Sequence, residues 1–404
     1  MLVRQVLLGN NPLTTRISGS ESDCLCRKAA AATNALTATE SIKIASSEPS
    51  VLYLPSEPLK AEENGGGRMA ATNVKDVAAL AGVSVGTVSN VLNNSKAVAP
   101  ATAAKVHDAI EKLGFIRNDA ARQLRAGQSR TVGMMVLDIA NPFFTDIAGG
   151  VENALISFNR SLILGNSGQD AAREQSYLDL FEEQRVSGLL ITPVGHVLPR
   201  LERLRQRGTP VVLVDRHGNV DNFSSVSVDD YRGGELAANH LLDLGRTKIA
   251  YIGASNDILQ VRQRFNGASD ALRERGIGRL TQVTAESMSS QAGRQAAERM
   301  LELPPGERPD AVFAANDLIA LGALQAFTRA GIRVPDDIAL IGYDDIEFAA
   351  SAAIPLSSVR QPAWEVGRTA TELLMAEVEG GSGEYQQVVF QPELVVREST
   401  ASEH

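Results

Sequence analysis

The stretch VSVGTVSNVLN, Val83–Asn93, decides how this 404-residue chain is read. Ser84 stands where a helix N-cap would, with Val83 and Val88 at the two positions of a hydrophobic staple. Val88, Val91 and Leu92 recur at helical spacing and predict a buried stripe. The outward face carries Ser84, Gly86, Thr87, Ser89, Asn90 and Asn93, without a single Arg, Lys or Glu. A solvated helix usually carries charged residues there. Small polar groups suit a face that lies close against another surface.

Just upstream, NVKDVAALAG (Asn73–Gly82) predicts a second helix. Asn73 is its N-cap, Asp76 sits in the first turn, and Val77, Leu80 and Ala81 form its apolar face, with Gly82 as the stop. Only AGVS separates the two helices, the tight Gly-containing connection of a helix-turn-helix. PATAAKVHDAIEKLG (Pro100–Gly114) predicts a third helix burying Val106, Ala109, Ile110 and Leu113, and Phe115–Gly127 one more short one.

Charge separates this head from the rest. Residues 69–130 hold eight Lys/Arg against four Asp/Glu, whereas 131–404 hold 24 against 37. A small basic module on a large acidic body suits a polyanion-binding head attached to a regulatory domain. Residues 1–68 balance seven basic against seven acidic residues, lack sustained periodicity and end in ENGGGR. They read as a disordered extension, with Met69 as the expected true start. No apolar run approaches the roughly 18–20 residues of a membrane span, and Val6–Leu8 is too short for a secretory signal, so the chain reads as cytoplasmic.

From Thr131 short apolar runs alternate with helical stretches: TVGMMVL, SLILGN, GLLIT, PVVLVD, SVSVD, KIAYIG, QVTAE, AVFAAN and DIALIG. That alternation predicts parallel βαβ units, and nine runs exceed one comfortable sheet. The fold class is therefore an all-α helix-turn-helix head plus an α/β domain of two doubly wound parallel sheets. Ligands in such sheets bind beyond the carboxyl ends of the strands.

Polar and aromatic residues gather at those ends. Asp215 and Arg216 close one run, Asn316 and Asp317 another, and Tyr343, Asp344 and Asp345 a third. Phe143 and Phe144 follow the first strand, and Arg264 lies early in a helical stretch. Carboxylates, an amide and a guanidinium beside aromatic rings suit a polyhydroxylated ligand. The competing reading is that Asp and Asn there simply cap the following helices.

Catalysis finds little support. There is no GxxxxGK[ST], GxGxxG or HExxH and no GxSxG elbow between a strand and a helix (GVSVG, Gly82–Gly86, joins two predicted helices), and His107, His196, His217, His240 and His404 stand apart from one another. Cys24 and Cys26, the only cysteines, are too closely spaced for a zinc knuckle and have no second pair, so neither a metal nor a cofactor is expected.

The motifs VKDVAALAGVSVGTVSNVLN, EKLGF, NDAARQLR, VGMMVLDIANPFF, FAANDLIALGAL, IGYDD and PELVVREST, in this order, resemble the lactose-repressor (LacI/GalR) family of bacterial transcription factors from about Thr72 to Thr400. The resemblance implies a DNA-binding head over 69–117, a hinge helix and linker over 118–130, and a two-lobed, periplasmic-binding-protein-like domain over 131–404. The lobes would run over roughly 131–228 and 229–358, the C-terminal strands and the Trp364 helix crossing back between them. It implies a homodimer on a near-palindromic operator, with a small effector, a sugar or a nucleoside-like molecule, between the lobes. Val85, Gly86 and Asn90 would read bases, Ser84, Thr87 and Ser89 lie near phosphates, and Asn93 belongs to the same DNA-facing surface. Leu124 would wedge into the minor groove with Arg122 beside it, although Arg117 replaces the proline that many relatives carry before the hinge helix. In the cleft, Phe143, Asp215, Arg264, Asn316 and Asp344 match ligand-contacting positions, with Phe313 adding a ring.

The expected function is a sequence-specific transcriptional repressor controlled by its ligand, and no enzymatic activity. A solute-binding protein of sugar uptake is the alternative, opposed by the basic head and the lack of an export signal. An enzyme on the α/β scaffold is weaker still, for want of a nucleophile–base pair.

Overall fold

The computed structural model describes residues 72–93, 98–115, 129–216, 222–255, 257–380 and 384–401. The hinge positions Arg117, Arg122 and Leu124, and the extension 1–68, lie outside the described residues. Two compact units divide at Phe115/Ile116.

The first unit is three helices around one small core. Helix α1 (Val74–Ala81) opens with a capping box: Asn73 Oδ1 accepts from Lys75 N at 2.8 Å, and Asn73 N donates to Asp76 Oδ2 at 2.8 Å. Gly82, at φ +65°, supplies the left-handed cap that turns the chain into α2 (Val85–Asn93). Helix α3 (Pro100–Leu113) starts on its proline and ends at Gly114. Val77, Ala78, Val88, Val91, Val106, Ala109 and Phe115 form the core. Leu80, expected on the buried face of α1, is instead 51% exposed. The buried stripe is Val74, Val77, Ala78 and Ala81, the i, i+3, i+4, i+7 set counted from the first helical residue.

The second unit contains two six-stranded sheets among its described residues. One sheet takes β1 (Thr131–Val136), β2 (Ser161–Asn166), β3 (Leu189–Ile191), β4 (Val211–Val214) and β5 (Ser224–Val228). The other takes β6 (Ile249–Gly253), β7 (Thr281–Thr284), β8 (Ala311–Ala314), β9 (Ala339–Asp344) and β10 (Ser357–Arg360). These ten strands are parallel within their sheets. The nine apolar runs correspond to β1–β9. Two late strands complete the sheets: β11 (Gln387–Phe390) pairs parallel with β5, and β12 (Glu393–Val395) antiparallel with β10. The orders are β11-β5-β4-β3-β1-β2 and β12-β10-β9-β8-β6-β7.

Helices cover the sheets. The first lobe carries α4 (Pro142–Ser157), α5 (Ala171–Glu183) and α6 (Leu198–Gln206). The second carries α7 (Asp230–Asp243), α8 (Leu259–Glu274), α9 (Ser290–Leu301), α10 (Asp317–Arg329) and the short α11 (Glu347–Ala350). Helix α12 (Ala363–Val378) returns to the first lobe, packing on α4 and contributing Val366, Ala370 and Leu374 to its core. The chain thus passes between the sheets three times: after β5, after β10 and after β11. Helices α7 and α8 meet backbone to backbone at Gly234 and Gly267; a Cβ at Gly267 would fall 1.9 Å from the Tyr231 carbonyl oxygen. That close approach sets Asp230 of α7 against Arg264 of α8. No helix of the described residues is long and apolar enough to cross a membrane.

Candidate functional site

Apart from Arg264, which lies inside α8, the cleft residues Asn141, Asp215, Asn316 and Asp344 sit at the ends of elements, where backbone groups lack ladder partners. Asp215 leaves β4 at φ +53° and Asp344 leaves β9 at φ +102°, conformations that L side chains rarely adopt. Asn141 caps α4, its Oδ1 accepting from Phe143 N at 3.2 Å. Asn316 caps α10, accepting from Ile319 N at 2.9 Å while its Nδ2 donates to Met288 O at 3.1 Å. The capping role is therefore realised, and it coexists with a second one: Asn141 and Asn316 both line a cavity between the lobes with Phe143, Asp215, Arg264 and Asp344.

Arg264 is the centre of the charge arrangement. Its Nε donates to Asp230 Oδ1 at 2.7 Å and its Nη1 to the Ala315 carbonyl at 2.7 Å. Asp344 Oδ1 lies 3.7 Å from Nη1, and the guanidinium carbon sits 3.6 Å from the Tyr343 ring centroid. Burial disfavours the Arg264 charge, but Asp230, Tyr343, Asp344 and Asp215 outweigh it and raise its pKa further. The carboxylates outnumber the cation, and the imbalance shows in their titration. Burial first, then Asp230, pushes Asp215 well above the usual carboxylate range despite Arg264. Burial pushes Asp344 up to about 6, against the lowering effects of Arg264 and of its bonds to Asn141 and Gln361.

Two residue pairs join the lobes by hydrogen bonds across the cleft. Asn141 Nδ2, on the first lobe, donates to Asp344 Oδ2 of the second at 2.8 Å. Gln260 Nε2, on α8, donates to Asp215 Oδ2 of the first at 2.8 Å and also bonds the Asp215 carbonyl. The cavity between them measures about 40 Å³, far below the roughly 300 Å³ at which ligand pockets begin. In this arrangement the cleft is shut, and the two carboxylates that suit a ligand are engaged with each other's lobe.

Five of the six expected cleft residues come together; Phe313 does not. It lies on β8 with no exposed surface, edge-on to Tyr251 at 5.1 Å between ring centroids, inside the second lobe's core. Both faces of β8 are buried, so its ring has no route to the cavity. Phe143, 3% exposed, does reach it, braced by Phe144 at 5.1 Å. Asp317 stays out of it: it accepts from Ile346 N at 2.9 Å and Ser358 Oγ at 2.7 Å. Asn141 and Gln260 line the cavity and Asp230 and Gln361 bond its charged groups Arg264 and Asp344; none of the four was expected.

The head presents a different surface. Ser84 caps α2, accepting from Thr87 N at 3.0 Å, with the Thr87 hydroxyl 2.9 Å from its Oγ. Ser84, Val85, Gly86 and Asn90 are exposed, Thr87 and Ser89 half-buried, and Val88 and Val91 buried. The uncharged polar face thus points outward; the Asn93 side chain lies outside the described residues. Gly86 is helical, and a Cβ there would meet only Ser84 Oγ at an ordinary 3.6 Å. Nothing inside the head requires a glycine, which costs about 1 kcal/mol relative to alanine in a helix.

Comparison with known proteins agrees with this architecture. Residues 73–118 match the model for bacterial regulatory proteins of the lacI family, and 238–400 that for a periplasmic binding protein-like domain. The chain is 34% identical over 329 residues to the HTH-type transcriptional repressor PurR of Aliivibrio fischeri (strain MJ11), covering 81% of this chain and 97% of that protein. It is 35% identical over 329 residues to the ribose operon repressor of Escherichia coli (strain K12), covering 81% and 99%. Among solved structures, the lac repressor dimer bound to operator and the anti-inducer ONPF superposes with a TM-score of 0.72 at 28% identity, covering 82% of this chain and all of that one.

Proposed function

This chain belongs to the lacI family of bacterial regulatory proteins, and we propose that it is a repressor whose operator affinity is set by a sugar or nucleoside-like ligand held between its lobes. The observation that carries the ligand class is the convergence of Asp215, Arg264, Asn316, Asp344 and Phe143 on one cavity at the carboxyl ends of the strands. Paired acceptors and donors match vicinal hydroxyls, and the Phe143 ring offers a face to the apolar side of a sugar. The name of one relative, a ribose operon repressor, supports the sugar reading.

Control follows from the closed cleft. Entry of a sugar requires the lobes to part, breaking the Asn141–Asp344 and Gln260–Asp215 bonds. Reclosure around the ligand re-engages the same carboxylates with ligand hydroxyls. The ligand acts only through its preference for one lobe arrangement over the other. In a homodimer on a near-palindromic operator, that choice changes the separation of the two DNA-reading heads. Val85, Gly86 and Asn90 would read base edges in the major groove, Asn90 pairing with adenine and Val85 touching a thymine methyl. Ser84, Thr87, Ser89 and Asn93 would border the phosphates, and Leu124, with Arg122, would kink the operator centre from the minor groove.

The test is titration of the purified chain with ribose, other pentoses, hexoses, nucleosides and purine bases, reading heat of binding and fluorescence polarisation of promoter DNA beside its own gene. Saturable binding by one class, with at least a tenfold change in operator affinity, is expected. Specific DNA binding indifferent to every member of the panel would overturn the ligand reading.

A further inference from the structure

A second cavity, of about 530 Å³, shares Phe143 and Asp344 with the lining of the cleft. Its walls come from both lobes: Asp146 of α4, Trp364 and Glu365 at the start of α12, Arg360 and Gln361 of the crossing strand, and Glu393 of β12. Its charge is lopsided. Arg360 is engaged by Asp345 at 2.8 Å, and Asp345 is further paired with Arg397 at 2.6 Å. Among the described residues Asp146, Glu365 and Glu393 form no ion pair, although Arg360 stands directly opposite Glu393 in the β10–β12 ladder. The nearby Glu347 carboxylate adds to the negative surroundings of Asp146.

Two further observations point to an occupant. Gln361 is buried, 4% exposed, and lines the cavity; its Nε2 donates to Asp344 Oδ1 at 2.7 Å, while its Oε1 has no hydrogen-bond partner. Such an unpaired buried acceptor is costly unless a donor reaches it. Trp364, the only tryptophan of the chain, is 45% exposed, an unusual position for so large an apolar ring. It is held rigidly: a Cβ at Gly149 would lie 3.0 Å from its ring, and one at Gly150 2.3 Å from its carbonyl oxygen. Acidic side chains, an orphaned carbonyl acceptor and a fixed indole together suit a donor-rich cation with an apolar stem.

We propose that this cavity, framed by Asp146, Trp364, Glu365, Gln361 and Glu393, is a second ligand site that takes a short aliphatic diamine. One ammonium lies among the carboxylates, the methylene stem runs along the Trp364 ring, and a donor hydrogen satisfies Gln361 Oε1. An inorganic divalent cation fits less well, because among the described residues no three acidic or other ligating side chains come close enough to share one metal ion. The Gln361–Asp344 bond links this site to the effector cleft, so its occupancy shifts the affinity of the cleft for its own ligand. Only that coupling rests on the function proposed above.

The experiment titrates the full chain with 1,4-diaminobutane and reads Trp364 emission, with equilibrium dialysis of labelled diamine as a second readout. Sodium chloride and magnesium chloride at matched ionic strength form the control arms. A saturable emission change, mirrored by one diamine bound per chain and absent with either salt, is the expected result. The double variant Asp146→Asn/Glu393→Gln should weaken the apparent affinity at least tenfold with an unchanged thermal midpoint. No saturable signal in either readout, an equal response to magnesium, or diamine binding unaffected in the double variant would each overturn the proposal. The coupling is read separately in the panel titration, and its absence would remove the link without touching the site.

Discussion

The head and the two-lobed body hold their functional polar groups under opposite conditions. On α2 they are uncharged and mostly open to water: Ser84, Gly86 and Asn90 are all exposed. In the cleft they are largely charged and shut away, with Asp215, Arg264 and Asp344 each at most 6% exposed. A recognition face of the first kind loses its water only when it meets DNA, so apart from the Ser84 cap its residues contribute little to folding. A site of the second kind is desolvated when the protein folds, and its groups must satisfy one another until a ligand arrives. Binding and stability should therefore separate cleanly in the head and be entangled in the cleft.

Arg264→Ala tests the entanglement with the largest expected effect. The substitution leaves Asp230 buried without its 2.7 Å partner, strips the Ala315 carbonyl of its donor and removes the cation over Tyr343. Breaking a buried pair from one side costs about 3–5 kcal/mol. Denaturant unfolding should show a loss of that order together with loss of the ligand response. A variant as stable as the parent would show that the cleft charges are not part of the fold.

Asn90→Ala is the counterpart in the head. Loss of a bidentate amide contact to a base should reduce discrimination by about 1–3 kcal/mol. Stability should move by less than about 0.5 kcal/mol, as for surface positions generally. The checks are specific and non-specific DNA affinities at one salt concentration, beside a melting curve. Equal losses on both DNAs would turn Asn90 from a base reader into a backbone contact.

Titration distinguishes the regions again. Asp344 is held up at about 6, so across the weakly acidic range it changes from a partly neutral acid to an ionised acceptor. Its folded pKa is raised, so its contribution to stability is complete below the unfolded value and is lost as pH rises through about 6. Ligand affinity moves the other way: ionised Asp344 accepts hydroxyl donors more strongly, so affinity should climb between pH 5 and 7 by at most about tenfold per unit. Calorimetric titration over that range should show the rise in the parent and its absence in Asp344→Asn. A parent profile as flat as the variant's would remove Asp344 from ligand recognition.

The same contrast explains what the sequence made legible. The caps at Asn73 and Ser84, the glycine turn and the α2 face could be read because each depends on neighbours within a few residues. Most of the runs of β1–β9 could be read because strands buried on both faces are nearly continuously apolar, the largely exposed β7 being an exception. That same continuity hides which face a side chain takes, which is why Phe313 was expected in the cleft and lies in the core. SSVR at β10 carries a single apolar residue, too few to mark a strand on its own. Asn141, Gln260, Asp230 and Gln361 escaped because each partner lies on another element. The sequence separations are 203 residues for Asn141 and Asp344, and 45 for Gln260 and Asp215. Gln260 alone had a local signal, sharing a helical face with Arg264 four residues on.

The smallest effect sharpens the comparison most, because its two parts have opposite signs. Gly86 lies in helical backbone with room for a Cβ, so the head itself has no use for a glycine there. Alanine should stabilise the head by up to about 1 kcal/mol through the restricted unfolded chain and better helix propensity. If the glycine is kept so that α2 can lie close in a major groove, the same methyl should weaken operator binding while the melting temperature rises. Melting curves and polarisation titrations of Gly86→Ala separate the two. Stabilisation with unchanged operator affinity would show that the small face of α2 is not pressed against DNA at this residue, and would move close approach to Val85 and Asn90.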